Sequence, residues 1–87
     1  MNQVLERLGH FGLVPVIEID DAQSAAPLAD ALVEAGLPVA EITFRTDAAE
    51  EALRAMAKAR PDVLLGAGTV LTVDQVKAAV DAGAQFI

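Results

Sequence analysis

The stretch AEITFRTD, residues 40–47, decides the fold because polar and apolar side chains alternate along it. Successive side chains of a strand point to opposite faces. One face therefore carries the apolar residues Ala40, Ile42 and Phe44. The other face begins with Val39 and continues with Glu41, Thr43 and Arg45. In a doubly wound sheet, helices cover both faces, and a glutamate in mid-strand would be badly placed. In a (β/α)8 barrel, one face points to the interior, where polar residues near the carboxyl ends of the strands form the active site. The alternation therefore predicts that Glu41 faces a barrel interior.

The rest of the chain repeats one strand–helix unit. The stretch ALVEAGLPVAEI (31–42) is similar to AAVDAGAQFI (78–87), and each joins a helix end to a new strand. Such alternation predicts a parallel sheet with right-handed crossovers. The predicted fold class is α/β, a parallel (β/α)8 TIM barrel. The chain covers an N-terminal helix, the first three βα units and the start of strand 4, and residues 1–87 are expected to be the N-terminal part of a single domain. The predicted elements are a helix over 2–10 and strands over 13–19, 39–44 and 63–65.

Capping residues mark where the helices begin. Ser24 is a better cap for the second helix than Asp21, because Pro27 then falls in the first turn, where its missing N–H costs nothing. The predicted capping boxes pair Asp47 with Glu50 and Thr72 with Gln75. The apolar stripe of the last helix, which is predicted to face the core, consists of Val73, Val76 and Val80.

Polar side chains gather where the predicted strands end. Glu41 and Arg45 lie on one side of their strand, about 13 Å apart at full extension, so they suit the two ends of a substrate better than each other. The matching face of the first strand is predicted to carry Val14, Val16, Glu18 and Asp20. The matching face of the third strand is predicted to carry Val63, Leu65, Ala67 and Thr69. The candidate site is therefore built from Glu18, Glu41, Arg45 and Thr69.

Each candidate also has a plainer explanation, which for Glu41 and Arg45 is a solvated edge strand with an ion pair. Glu18 and Asp20 can serve as favourable charges at a helix N-terminus, and Thr69 can be an ordinary turn hydroxyl. Gly66 and Gly68 are a weak signal, because glycines after a strand serve many turns and these two follow neither the phosphate-loop nor the dinucleotide-binding pattern.

Composition excludes several classes of function. A net charge of −7 with three aromatic residues argues against nucleic acid or an anionic membrane as a partner. No apolar run approaches the roughly 20 residues of a membrane span. The chain has no cysteine and no signal-peptide pattern at its start, so a cytoplasmic location is expected, and neither a metal nor a cofactor is predicted. His10 is expected to be structural, and Lys58 and Lys77 lie on predicted helices, away from the strands.

Three motifs together carry a family resemblance: VPVIEID (14–20), AEITFRT (40–46) and GAGTV (66–70). At this spacing the chain resembles the N-terminal portion of the class I 2-keto-3-deoxy-6-phosphogluconate (KDPG) and 4-hydroxy-2-oxoglutarate aldolases. The resemblance implies a TIM barrel, usually trimeric, that cleaves a phosphorylated 2-keto acid through a lysine Schiff base.

The resemblance also implies residue roles. The motif glutamate, here Glu41, would be the general acid/base, and Arg45 and Thr69 would bind the pyruvate-derived part of the substrate. Glu18 stands where many relatives carry arginine or an apolar residue, and it is a further candidate for substrate binding. The Schiff-base lysine and the phosphate-binding loops of the family lie beyond residue 87, so the chain alone is expected to be inactive.

Two alternatives remain open at this point. The chain is part of an aldolase that cleaves KDPG to pyruvate and glyceraldehyde 3-phosphate, or it is a catalytically silent βα-repeat fragment that self-associates. Within the first alternative, 4-hydroxy-2-oxoglutarate and the galactonate epimer are competing substrates. A homo-oligomer is expected in either case.

Overall fold

The computed structural model describes residues 2–87. Four helices and three strands alternate along the chain, with one 3-10 turn before the second helix. In order they are α1 (Asn2–Phe11), β1 (Val16–Ile17), the 3-10 turn (Ala22–Ser24), α2 (Ala25–Glu34), β2 (Val39–Thr43), α3 (Ala49–Ala59), β3 (Leu64–Gly68) and α4 (Val73–Ala82). None of these helices is long and apolar enough to cross a membrane.

The three strands form one parallel sheet in the order β1-β2-β3. Phe86 extends this order, because it forms an isolated parallel bridge with Gly66 on the free edge of β3. Its carbonyl accepts a hydrogen bond from Ala67 N at 3.0 Å, and Gln85 N donates to Leu65 O at 2.7 Å. The predicted parallel order and the predicted start of a fourth strand are both confirmed.

The first strand is much shorter than the predicted range of 13–19, since β1 has only two residues. Pro15 has no N–H to donate, and only its carbonyl joins the ladder, accepting Glu41 N at 2.9 Å. Beyond Ile17, threonine hydroxyls take the place of backbone donors, as described below.

The core lies between one face of the sheet and the helices. Each fully buried Leu, Ile or Met side chain stabilises the fold by about 1.5–3 kcal/mol. The buried cluster draws on β2, β3 and helices α2 to α4, and its largest members are Ile42, Leu53, Met56 and Leu65. The prediction that helices cover one face of the sheet is confirmed for this layer.

The predicted face of the third strand is wrong. In the observed register Val39 lies beside Leu64 and Glu41 beside Gly66, and lateral neighbours in a sheet share a face. Leu64, Gly66 and Gly68 therefore lie on the side of Glu41, which we call the Glu41 face. The other residues belong to the helix-covered core, namely Val63, Leu65 and Ala67. Alternation could not reveal this, because the third strand is apolar on both faces and a one-residue slip exchanges them.

The predicted inward stripe of α4 is also wrong. Val73, Val76 and Val80 are 69%, 39% and 59% exposed, whereas the buried residues of this helix are Ala79 and Ala82. Small side chains face the core because α4 approaches α3 closely there. A methyl group at Gly83, which follows α4, would lie only 2.8 Å from the side chain of Ala57.

The helix caps agree with the sequence in part. Ser24 occupies the N-cap position of α2, but its side chain makes no capping bond; Asp21 instead accepts Gln23 N at 2.9 Å and caps the 3-10 turn. Thr72 caps α4 by accepting Gln75 N at 3.1 Å. The Gln75 side-chain oxygen accepts a hydrogen bond from Leu71 N at 2.7 Å and not, as a capping box would require, from Thr72 N.

The capping box predicted for α3 does not form. Ala48 is the N-cap residue of α3, so Asp47 lies one position too early to cap it. Glu50 pairs with Arg54 at 3.1 Å, one helical turn further on, and its carboxylate is therefore directed along the helix surface.

Candidate active site

Glu41 is central to the candidate site because of what surrounds it on the sheet. It lies in the middle of β2, half-buried, and is the single charged residue that β2 and β3 place on the Glu41 face. Its side chain lies across β3 against Gly68, where an added methyl group would lie 2.8 Å from Glu41 Cδ and closer still to one carboxylate oxygen. A carboxylate held in this way, on the side of the sheet away from the helix-covered core, can accept or donate a proton.

Thr43 and Thr46, both in the motif AEITFRT (40–46), connect the end of β1 to β2 and the turn after it. The Thr43 hydroxyl, on a side chain only 4% exposed, donates to Ile17 O at 3.3 Å, and the Thr46 hydroxyl donates to Ile19 O. These two carbonyls flank Glu18, so the segment that carries Glu18 is held beside β2. Neither contact is predicted by the sequence pattern. The available signal was that a hydroxyl buried at a strand end needs a hydrogen-bond partner.

Glu18 itself directly follows β1 and is exposed. Val16 pairs with Glu41 in the parallel register, so the strand direction brings Glu18 to the level of Thr43. Asp20 is exposed too, and it is the neighbouring Asp21 that caps the following turn. The carboxyl end of β1 thus presents one carboxylate beside the strand that carries Glu41.

Arg45 does not continue the alternation from Glu41. The strand ends at Thr43, and Arg45 lies exposed in the following turn. It lines an open cleft of about 320 Å³ between the starts of α3 and α4, and Glu41 is not among the lining residues. The cleft is lined by Phe44, Arg45, Thr46, Asp47, Ala49, Glu50, Asp74, Gln75 and Ala78. Within residues 2–87, the structure therefore places the guanidinium and the Glu41 carboxylate in different surroundings.

Thr69 directly follows β3 and has an unusual backbone conformation. Its φ is 54°, the one positive value among the described residues other than glycine. A β-branched residue is rarely found there, and such conformations cost on the order of 1–3 kcal/mol and cluster at functional sites. The left-handed turn also interrupts strand alternation, so the side of the sheet that Thr69 serves could not be read from the sequence.

The side-chain ion pairs of the described residues lie at the surface of the outer helices and of the loop after α3. Arg54 joins α3 to α4 through Asp81 at 3.1 Å, and Arg60 bonds Asp62 at 3.2 Å and reaches Asp30 of α2 at 3.1 Å. Donation to Asp81 and Glu50 raises the pKa of Arg54, and donation to Asp62 and Asp30 raises the pKa of Arg60. The same bond from Arg60 lowers the pKa of Asp62. The Arg54–Asp81 and Arg60–Asp30 pairs connect neighbouring helices at the surface, whereas the Arg60–Asp62 pair lies within the loop after α3.

Other candidate ligands and nucleophiles are dispersed. No three acidic or histidine side chains come together as a metal site within residues 2–87. Lys58 on α3 and Lys77 on α4 are exposed, as predicted, and away from the Glu41 face. His10 is exposed and packs edge-on against Phe11, with ring centroids 5.6 Å apart.

Sequence comparison connects this arrangement with known proteins. The profile of the aldolase family described as KDPG and KHG aldolase matches residues 4–87. KHG stands for 2-keto-4-hydroxyglutarate, which is the same compound as 4-hydroxy-2-oxoglutarate. The chain belongs to the KDPG and KHG aldolase family. The 2-dehydro-3-deoxy-phosphogluconate aldolase of Haemophilus influenzae is 51% identical over 86 residues, which are 99% of this chain and 41% of that protein. The KHG/KDPG aldolase of Escherichia coli is 47% identical over 74 residues, 85% of this chain and 35% of that protein.

Solved structures of the family share the α/β fold with parallel strands. The KDPG aldolase of Legionella pneumophila, with pyruvate captured as a covalent carbinolamine intermediate, superposes with a TM-score of 0.78 at 46% identity. The KDPG aldolase of Zymomonas mobilis superposes with a TM-score of 0.75 at 43% identity. In both cases 84% of this chain covers 35% of the other. The resemblance seen in the three motifs is thereby confirmed, and the chain spans about two-fifths of the length of the curated relatives it matches most fully.

Proposed function

We propose that residues 1–87 form the N-terminal part of a single TIM-barrel aldolase domain that cleaves KDPG to pyruvate and glyceraldehyde 3-phosphate. Family membership supports the reaction class. The strand order supports the barrel, because each new strand, including the one begun by Phe86, adds in parallel to the same edge of the sheet. We also propose that the intact enzyme is a homotrimer, as the resemblance implies, and that it is cytoplasmic.

Glu41 is the general acid/base in this proposal. The observation behind this role is its position: Glu41 is half-buried and is the one carboxylate that β2 and β3 place on the sheet face that a closed barrel would enclose. Aldol cleavage and imine formation both require proton transfers at the reacting centre. A positioned acid/base group contributes typically about 10²- to 10⁴-fold to the rate of such steps.

The covalent step needs an amine that lies beyond residue 87 in our proposal. The amine adds to the C2 carbonyl of the substrate to give a carbinolamine, which loses water to form an iminium ion. Transfer of the C4 hydroxyl proton to Glu41 then lets the C3–C4 bond break, and the iminium nitrogen takes up its electron pair, which gives an enamine and releases the aldehyde. Protonation of the enamine carbon restores the iminium ion, and water hydrolyses it to pyruvate and the free amine. Pyruvate captured as a carbinolamine in the Legionella pneumophila enzyme supports this chemistry. Lys58 and Lys77 are exposed on outer helices and are unsuited to it.

Three further residues would bind the substrate. Arg45 would hold the carboxylate of the pyruvate portion, because a guanidinium donates a planar pair of hydrogen bonds. Thr69 would contact the same portion, and the left-handed backbone at this residue fits a site where conformation serves function. Glu18, held beside β2 by the threonine hydroxyls, would contribute to substrate preference.

A second substrate is favoured by the names of the relatives. The matching family is described for both KDPG and KHG, and the Escherichia coli relative is a KHG/KDPG aldolase. Cleavage of 4-hydroxy-2-oxoglutarate, which lacks the phosphate, is therefore the alternative activity. The galactonate epimer of KDPG is a third possibility, raised by the sequence alone.

The test is pyruvate release by the intact polypeptide, meaning the gene product that contains residues 1–87. KDPG, its galactonate epimer and 4-hydroxy-2-oxoglutarate should be compared by kcat/KM under one set of conditions. We expect the highest value for KDPG. A higher value for either competitor would reassign the substrate, and no cleavage of any of the three would refute the proposed function.

A further inference from the structure

The glycines of the motif GAGTV lie within a strand rather than in a turn. Gly66 and Gly68 are both part of β3, and neither has a positive φ. Backbone conformation therefore does not require glycine at either position. Both residues lie on the Glu41 face, so their missing side chains leave space there.

Two different side chains fill that space. The ring of Phe86 lies against Gly66, and three of its carbons would overlap a methyl group placed there. The side chain of Glu41 lies against Gly68, where a methyl group would overlap a carboxylate oxygen and approach Cδ to 2.8 Å and Cγ to 3.2 Å. The first glycine thus accommodates a ring, and the second accommodates the carboxylate of Glu41.

The backbone of β3 is fixed around Gly68 from both sides. Gly68 O accepts Phe44 N at 2.7 Å from the β2 side, and Ala67 N donates to Phe86 O at 3.0 Å on the opposite edge. A side chain added at Gly68 could not be relieved by a strand shift without loss of these bonds. The end of the Glu41 side chain is flexible by comparison, so the carboxylate would move instead.

We propose that Gly68 is a positioning residue for Glu41, keeping the carboxylate laid across β3 in the orientation that proton transfer requires. This inference rests on the proposed role of Glu41 in catalysis. It gives the second glycine of the motif a purpose in the reaction, where the sequence offered only a turn. It also separates the two glycines, since Gly66 acts on Phe86 and Gly68 acts on the reacting carboxylate.

The first test is Gly68→Ala in the intact polypeptide, with kcat, KM and urea unfolding measured together. Misplacing a reacting group by about 1 Å can lower a rate by about 10²-fold, so we expect kcat to fall by about 10- to 100-fold with a much smaller change in KM. Stability should change little, because only the end of a side chain has to move. Gly9→Ala is the matched control: nothing lies within 4 Å of the added methyl group, and kcat should be unchanged.

Gly66→Ala gives the opposite pattern and serves as a second comparison. Its methyl group meets the Phe86 ring, which is larger and whose backbone is bonded to β3. We expect a larger loss of stability than in Gly68→Ala and a smaller loss of kcat. Equal effects of the two substitutions on kcat would overturn the distinction and with it the inference.

A rescue experiment tests the contact itself. Glu41→Asp shortens the side chain by one methylene, so in the Gly68→Ala background it should lower kcat less than it does in the parent protein. Such coupling is expected of residues in contact and not of distant, independent sites. Additive effects would contradict the inference, and so would a crystal structure of Gly68→Ala in which the Glu41 carboxylate has not moved. Glu41→Gln separates the two proposals. Normal turnover of this variant would refute the catalytic role of Glu41. Whether Gly68 positions the Glu41 carboxylate would still be decided by the crystal structure of Gly68→Ala.

Discussion

Thr46→Val should loosen the junction between β1 and β2. The substitution keeps the shape of the side chain but removes the hydroxyl that donates to Ile19 O, and Ile19 is buried. The net value of such a bond is about 0.5–1.5 kcal/mol, and a fully buried carbonyl left without a partner costs about 1–3 kcal/mol. Because this bond is part-buried, the lower end of the second range applies. We therefore expect a loss of about 1–2 kcal/mol in the free energy that holds this junction closed. Thr43→Val should lose less, because its bond to Ile17 O is 3.3 Å long, beyond the usual range for hydroxyl donors.

Hydrogen exchange measured by mass spectrometry or NMR is the suitable assay. A loss of 1–2 kcal/mol corresponds to about 5- to 30-fold faster exchange of the amides in the β1–β2 ladder, if these open locally. Thr72→Val is the matched control, since it also removes a hydroxyl that forms one hydrogen bond, but at the start of α4. Its effect should be confined to that helix. Unchanged exchange in Thr46→Val, or equal changes at the junction in the control, would refute the reasoning.

Three further predictions concern the surface, the substrate and the isolated chain. Because the bond from Arg60 lowers the pKa of Asp62 from its ordinary value of 3.8, this contribution to stability is present above pH 3.8 and is lost as the pH falls through the lower, folded-state pKa. Arg60→Gln should return that pKa toward 3.8 in a carbon-13 NMR titration, and an unmoved titration would contradict the assignment. Arg45→Lys in the intact polypeptide should chiefly raise KM, since lysine keeps the charge but loses the paired donors; a change in kcat alone would place Arg45 elsewhere in the mechanism. Residues 1–87 alone should not be trapped by borohydride with pyruvate and should sediment above their 9.0 kDa monomer mass; modification of Lys58 or Lys77, or a compact monomer, would contradict this.

The strand order and the placement of Glu41 could be read from the sequence. Polar and apolar residues alternate in residues 39–44, so only one assignment of faces places the apolar side chains under the helices. A shift by one residue would place Glu41 there instead. The repeat of strand and helix then requires parallel pairing, and the observed sheet has it. The parts that were predicted correctly are those in which the pattern differs between the two faces.

The errors fall where the pattern is uniform or where contacts are long-range. The third strand is apolar on both faces, so its register depends on its pairing with β2. The valines of α4 form a good apolar stripe, but close packing of helices selected the alanines instead. The threonine bonds to β1 join residues 26 and 27 positions apart, a distance at which local propensity carries no information.

Turnover of Glu41→Gln in the intact polypeptide tests the central claim most directly. The amide keeps the shape of the side chain against Gly68 but cannot exchange a proton in the same way. With KDPG as the substrate, we expect kcat to fall by about 10²- to 10⁴-fold with a much smaller change in KM. Glu34→Gln, the same change at an exposed position on α2, should leave both constants as they were. A Glu41→Gln enzyme with an unchanged kcat would remove Glu41 from the mechanism and contradict the account.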